Sequence, residues 1–205
     1  MNISLENIGK KYGENWIFRG MTTDFSEGIY GVTGFNGSGK STLIQILSGF
    51  VTPSEGEIEF NGGKTNVEDV YKSCSISAPY LELPPEFTVL ETVQIQSQFK
   101  PFRQNMRAKE LIEEIALTSP ATKTLSQLSS GMIQRLKLAL AIFADSSLLL
   151  LDEPTSNLDA KWINWFQTAL SANSSKRTII IGSNDQTAEL SLVNKGALDL
   201  SAFHL

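Results

Sequence analysis

Cysteine and histidine are almost absent from this 205-residue chain, with one of each. A single thiol, Cys74, excludes an internal disulfide and a cysteine-ligated metal site, and it suits a reducing compartment. The lone histidine, His204, stands at the extreme C-terminus and reads as a loose polar end residue. No apolar run approaches the ~20 residues that span a bilayer. The first residues, Met1 to Glu6, lack the basic-then-apolar order of a signal peptide. Any membrane role is therefore expected to pass through a separate subunit. There is no excess of positive charge either. The net charge is -5, with lysine and arginine scattered, which argues against nucleic acid as the main partner.

What is present is an ordinary globular composition, 41% hydrophobic and 19% charged, enough for one domain with an inserted subdomain. Residues 3 to 8 alternate apolar and polar. Ile58 and Phe60 alternate with Glu57 and Glu59 before the turn Asn61-Gly62-Gly63. These read as antiparallel strands. Ile29 to Thr33 reads as a buried strand running into a glycine loop. A helix is expected over 40 to 48, ended by Gly49. From Val89 to about Ala144 the spacing is helical. Leu148 to Leu151 and Thr178 to Ile181 read as parallel strands covered on both faces. Trp162, Ile163, Phe166 and Leu170 form a helical stripe between them, read as core packing. The order implies a doubly wound parallel core interrupted by a helical insertion.

Chemistry concentrates in two places. Gly34-Phe35-Asn36-Gly37-Ser38-Gly39-Lys40-Ser41 satisfies the phosphate-loop pattern, and Thr42 follows it. Such a loop aims backbone N–H groups at phosphate oxygens at a helix N-terminus. Lys40 is expected on the β- and γ-phosphates and Ser41 on Mg²⁺. Asp152 ends an apolar strand, where a second Mg²⁺ ligand is expected, and Glu153 follows as a candidate general base.

Together with these, Leu128-Ser129-Ser130-Gly131-Met132 is similar to the signature motif of ABC-type ATP-binding subunits. Asp152-Glu153-Pro154-Thr155-Ser156-Asn157-Leu158-Asp159 resembles that family's Walker-B and D-loop run. Tyr12-Gly13 resembles its adenine-stacking position, and Glu86 to Val89 the stretch that opens its helical subdomain. The resemblance implies an α/β fold, a P-loop NTPase core with a mostly parallel sheet, a small antiparallel β subdomain and an inserted helical subdomain. A single domain over 1–205 is expected, with the core over about 1–80 and 145–205 and the helical part over about 81–144. It implies ATP and Mg²⁺ as ligands, and a head-to-tail dimer, homo- or heteromeric, whose composite sites use Ser129, Ser130, Gly131 and Asp159 of one subunit. An integral membrane permease would be the partner, placing the chain at the inner face of the membrane. Such a subunit couples ATP-driven closure to transport.

Three departures qualify this, the first being Ser130 and Met132 where the family's signature usually has glycine and glutamine. The family's glutamine before the helical subdomain falls near Pro79, with Glu82 the nearby residue that could substitute. Asn184 stands where the switch histidine is expected. It can donate a hydrogen bond but carries no charge and shuttles no proton. The last two motivate an alternative, a nucleotide-dependent regulatory module with weak or no turnover.

Overall fold

The computed structural model describes residues 1–184 and 187–204. Asp185, directly after the expected switch position, lies outside them.

The chain begins with two long antiparallel strands, β1 (Ile3–Tyr12) and β2 (Asn15–Phe25), and continues into β3 (Gly28–Thr33) and helix α1 (Lys40–Leu47). Strand β4 (Glu55–Phe60) returns to β1, completing an antiparallel sheet of order β2-β1-β4. A short strand β5 (Cys74–Ser77) precedes three helices, α2 (Val89–Phe99), α3 (Ala108–Glu114) and α4 (Ser130–Ile142). Then follow β6 (Leu148–Asp152), α5 (Ala160–Ala172), β7 (Thr178–Gly182), α6 (Thr187–Leu190) and β8 (Ala197–Asp199). The second sheet has order β5-β6-β7-β3-β8, and its registered pairs are parallel.

The expected parallel strands are there, and they divide the core. All five residues of β6 and all five of β7 are buried. Leu149, Leu151, Ile179 and Ile181 face one apolar cluster with α2 to α5, whereas Leu148, Leu150 and Ile180 face another with α1 and the antiparallel sheet. A strand covered on both faces has no polar side to show, so it reads as a continuous apolar run.

Strand β2 carries no period-two signal. Its buried residues are Phe18, Met21 and Phe25, a spacing that suits a helix as well as a strand. The cause is a bulge: Gly20 sits at φ 72°, and the pairing with β1 slips between Lys10↔Phe18 and Ile8↔Met21. Asn7, at φ 51°, does the same for β1, so burial passes from Leu5 to Ile8.

Helix α1 ends as the sequence suggests. Gly49 adopts φ 76°, its N–H donates to the Ile46 carbonyl, and the Phe50 N–H donates to that of Gln45. This is the paired 5→2 and 6→1 closure that glycine permits. At the other end of the inserted helices, the Thr88 hydroxyl and Glu91 carboxylate cap each other's backbone at the start of α2.

Candidate functional site

The site lies at the C-terminal ends of the parallel strands, where β3 feeds the phosphate loop, β6 ends on Asp152 and β7 on Gly182. This is the edge at which open α/β sheets bind ligands. Gly34, Gly37 and Gly39 adopt φ of 135°, 92° and 99°, conformations that leave the loop's amides free to point inward. At Gly39 a Cβ would stand 2.7 Å from a ring carbon of Phe18, so glycine is required there by packing as well. Lys40 is buried. Its ammonium folds back onto the loop, donating to the carbonyls of Gly34 (2.8 Å) and Phe35 (3.2 Å).

A cleft of about 290 Å³ is lined by Ile17, Asn36, Gly37, Gly39, Lys40, Ser41, Thr42, Glu153 and Asn184. Residues far apart in sequence thus converge on one cleft. Ser38 lies beneath the loop, fully buried with its hydroxyl unpartnered. Phe35 stands outside, half exposed, with the His204 ring edge-on at 5.0 Å. His204 is therefore less loose than its terminal position suggested. Tyr12 ends β1 half exposed, with the Lys10 ammonium 5.0 Å from its ring centre, and lies outside the cleft lining.

Asp152 is buried, and neither carboxylate oxygen has a hydrogen-bond partner. Burial pushes its pKa up, Glu153 and Glu189 add to the rise, and the Ser41 hydroxyl and Lys40 oppose it. Ser41 faces it from α1 without reaching bonding geometry. Two orphaned oxygens on a buried carboxylate, beside a serine hydroxyl, form a hard-oxygen donor set that fits Mg²⁺.

Glu153 adopts φ 45°, a conformation that costs a non-glycine residue about 1 kcal/mol or more. It is held there by its own N–H on the Gly182 carbonyl (2.9 Å) and by its carbonyl accepting from Ser156 (3.1 Å). The Asn184 side-chain amide donates to its carboxylate. The expected switch position and the expected base are thus in direct contact.

The segment after β5 differs from the expectation for Glu82. Glu82 is exposed, and the cation whose charge it affects is Lys137. The residue there that shares a groove with Gln45 of α1 is Tyr80, whose pKa burial pushes up, with the Asp152 charge adding to the rise. Gln45 stands one helical turn after Ser41, a spacing readable in sequence, whereas Tyr80 carried no such signal.

The signature-like residues are not in this cleft. Ser129 caps α4, accepting from the Met132 N–H, and Ser130 and Gly131 open that helix. Asp159 caps α5, accepting from the Trp162 N–H at 3.0 Å. Gly131 packs on the D-loop so closely that a Cβ would stand 3.0 Å from the Asn157 carbonyl oxygen.

The family model described as ABC transporter matches residues 18–156. The chain belongs to the ABC transporter family. It is an ATP-binding subunit of that family. It is 31% identical to an uncharacterized ABC transporter ATP-binding protein, YybJ of Bacillus subtilis, over 97% of this chain and 95% of that one. It is 32% identical to the glutamate/aspartate import ATP-binding protein GltL of Escherichia coli, over 79% and 71%. A dimeric structure of the ATP-binding cassette MJ0796, in a post-hydrolysis state with ADP and phosphate, shares the fold. Its TM-score is 0.81 at 23% identity, covering 97% of this chain and 94% of that one.

Proposed function

We propose that this subunit hydrolyses ATP in the cleft between the phosphate loop and Glu153 and passes the resulting closure to a membrane permease. The observation that carries the reading is the convergence of Lys40, Ser41, Glu153 and Asn184 on one cleft, backed by an Asp152 whose two oxygens have no partner. The loop amides of 36–42 and the Lys40 ammonium would take the β- and γ-phosphates, Lys40 leaving its two carbonyls to do so. Ser41 and Asp152 would hold Mg²⁺, which neutralises phosphate charge when bound. Glu153 would take a proton from water as the water oxygen bonds the γ-phosphorus. The bond from that phosphorus to the bridging oxygen then breaks and ADP leaves.

Asn184 bears on rate. Its amide occupies the Glu153 carboxylate, the group that would take the proton from water. The alternative of a low-turnover regulatory module rests on that bond and on the uncharged side chain. Mg²⁺-dependent phosphate release by the purified chain decides, with Glu153→Gln and Asn184→His measured beside it. Turnover abolished by Glu153→Gln supports the ATPase. Turnover absent in wild type and present in Asn184→His supports the regulatory reading.

Ser129, Ser130, Gly131 and Asp159 lie outside the phosphate cleft of their own chain, which fits a role in the cleft of a second subunit. The permease face is a groove of about 300 Å³ lined by Gln45, Phe50, Val67, Tyr71, Ile76 and Tyr80. Phe50 is 79% exposed on it, and Phe99 of α2 stands 82% exposed among the inserted helices. Large exposed aromatics mark an interaction surface. Among the described residues no helix is long and apolar enough to cross a membrane. Membrane attachment at the cytoplasmic face is accordingly assigned to this groove. Phe50→Ser together with Tyr71→Ser would release the chain from isolated membranes while leaving ATP binding intact.

A further inference from the structure

We infer that Glu189 is a positioning residue that fastens the switch segment to the D-loop and, through it, to the signature helix of the same chain. The inference rests on the reading of the phosphate cleft as the ATP site. Glu189, on α6, is 1% exposed. Its Oε1 accepts from both the backbone N–H (2.9 Å) and the hydroxyl (2.7 Å) of Thr155, and its Oε2 is buried without a partner. Thr155 stands two residues after Glu153, separated from it by Pro154, so this carboxylate grips the D-loop at its root.

Helix α4 grips the D-loop at the neighbouring Pro154 and again further along. The Gln134 amide, itself buried, donates to the Pro154 carbonyl at 2.9 Å. Gly131 lies against the Asn157 carbonyl. The Arg135 guanidinium stacks 3.9 Å over the Trp162 ring, directly beyond the D-loop, while donating to the carbonyls of Gly131 and Ile115. Residues 154–162 are thereby clamped between α6 and α4.

Asn184 precedes α6 in the chain, lines the phosphate cleft and holds Glu153. A γ-phosphate that draws Asn184 away from Glu153 displaces the segment carrying Glu189. Glu189 then moves Thr155, and the D-loop moves the N-terminus of α4. Occupancy of a subunit's own cleft thus sets the posture of the signature residues it offers to another. The requirement is for a hydrogen-bond acceptor at Glu189, not for its charge. Glutamine therefore suffices and alanine does not.

The test is amide hydrogen exchange of the full chain with and without Mg²⁺-ATPγS, comparing wild type with Glu189→Ala, Glu189→Gln and Thr155→Val. In wild type the nucleotide slows exchange in the phosphate loop (36–44) and at the start of α4 (129–136). Glu189→Ala keeps the first effect and loses the second by about 5-fold or more, a typical coupling factor. Glu189→Gln keeps both. Thr155→Val, which deletes the hydroxyl and keeps the backbone bond, falls between and serves if the alanine variant does not fold. A general packing role would weaken both segments together. Full transmission in Glu189→Ala, or in Thr155→Val if only that variant folds, overturns the inference, as does loss of transmission in Glu189→Gln. A protected phosphate loop with an unmoved α4 in wild type overturns the relay alone. An unprotected phosphate loop overturns the reading of the cleft, and the relay with it.

Discussion

The two ends of the parallel sheet are built on opposite principles. At the N-terminal ends of the strands, Arg177 is fully buried and its guanidinium donates to the carbonyls of Ile142 (2.6 Å), Asn173 and Ala141 and to the hydroxyls of Ser75 (3.1 Å) and Ser146 (2.6 Å). Among the described residues it has no salt-bridge partner, and burial pushes its pKa down to about 9. At the C-terminal ends, Asp152 and Ser38 are buried with no partner for their side-chain oxygens. One end bonds both terminal nitrogens of a costly group and leaves only its Nε unpaired; the other leaves both oxygens of a carboxylate unpaired. Folding alone gives no reason for the second arrangement, and a ligand does.

Variants at the two ends separate these roles. The largest effect is expected from Glu153→Gln, which removes the base and lowers ATP turnover by about 10²–10⁴. Its unfolding midpoint should stay near wild type, as phosphate-release assays and urea titration would show. Next is Arg177→Met, which strands the carbonyls and the hydroxyls of Ser75 and Ser146. It should destabilise by about 3–5 kcal/mol in denaturant titration while the nucleotide affinity of the folded fraction holds. A smaller effect of opposite sign is expected at Asp152. Its folded pKa is raised above the unfolded value, so its contribution is fully present below the unfolded pKa and lost as pH rises through the folded one. At neutral pH its charge therefore works against the ligand-free fold. Asp152→Asn should stabilise that fold by about 0.5–2 kcal/mol and flatten the acid side of its stability profile, which thermal melts across pH would detect. The smallest effect belongs to the exposed pair Arg107–Glu110, whose removal should leave the melting midpoint at the wild-type value in the same melts.

The same contrast explains what was legible in the sequence. The central strands β6 and β7 and the loop of 34–41 announce themselves because double-sided burial and phosphate binding each impose a local pattern. The end of α1 was legible at Gly49 for the same reason. Strand β2 was not, because its bulge at Gly20 converts alternation into a helix-like spacing. Strand β5 was not, because Cys74-Ser75-Ile76-Ser77 has no apolar run. Its Ser75 is buried by virtue of bonds to Ala141, Ser146 and Arg177 that no local pattern encodes. Among site residues, Asn184 could be placed from motif order, but its bond to Glu153 could not. Glu189 was invisible, since a glutamate in a short helix reads as a solvated one. Trp162 reads as core packing in the sequence, yet it is half buried under Arg135, at the joint between signature helix and D-loop.

The most direct test of the central claim, that the unsatisfied end is kept for a nucleotide with its metal, is thermal unfolding with ATP in Mg²⁺ and in EDTA, for wild type and Asp152→Asn. A ligand bound only by the folded state at 100 times its Kd adds about 2.7 kcal/mol. The account predicts that Mg²⁺ enlarges the ATP-induced rise in wild type and adds nothing in Asp152→Asn, although the ligand-free variant melts higher. An equal Mg²⁺-dependent rise in both proteins would contradict it.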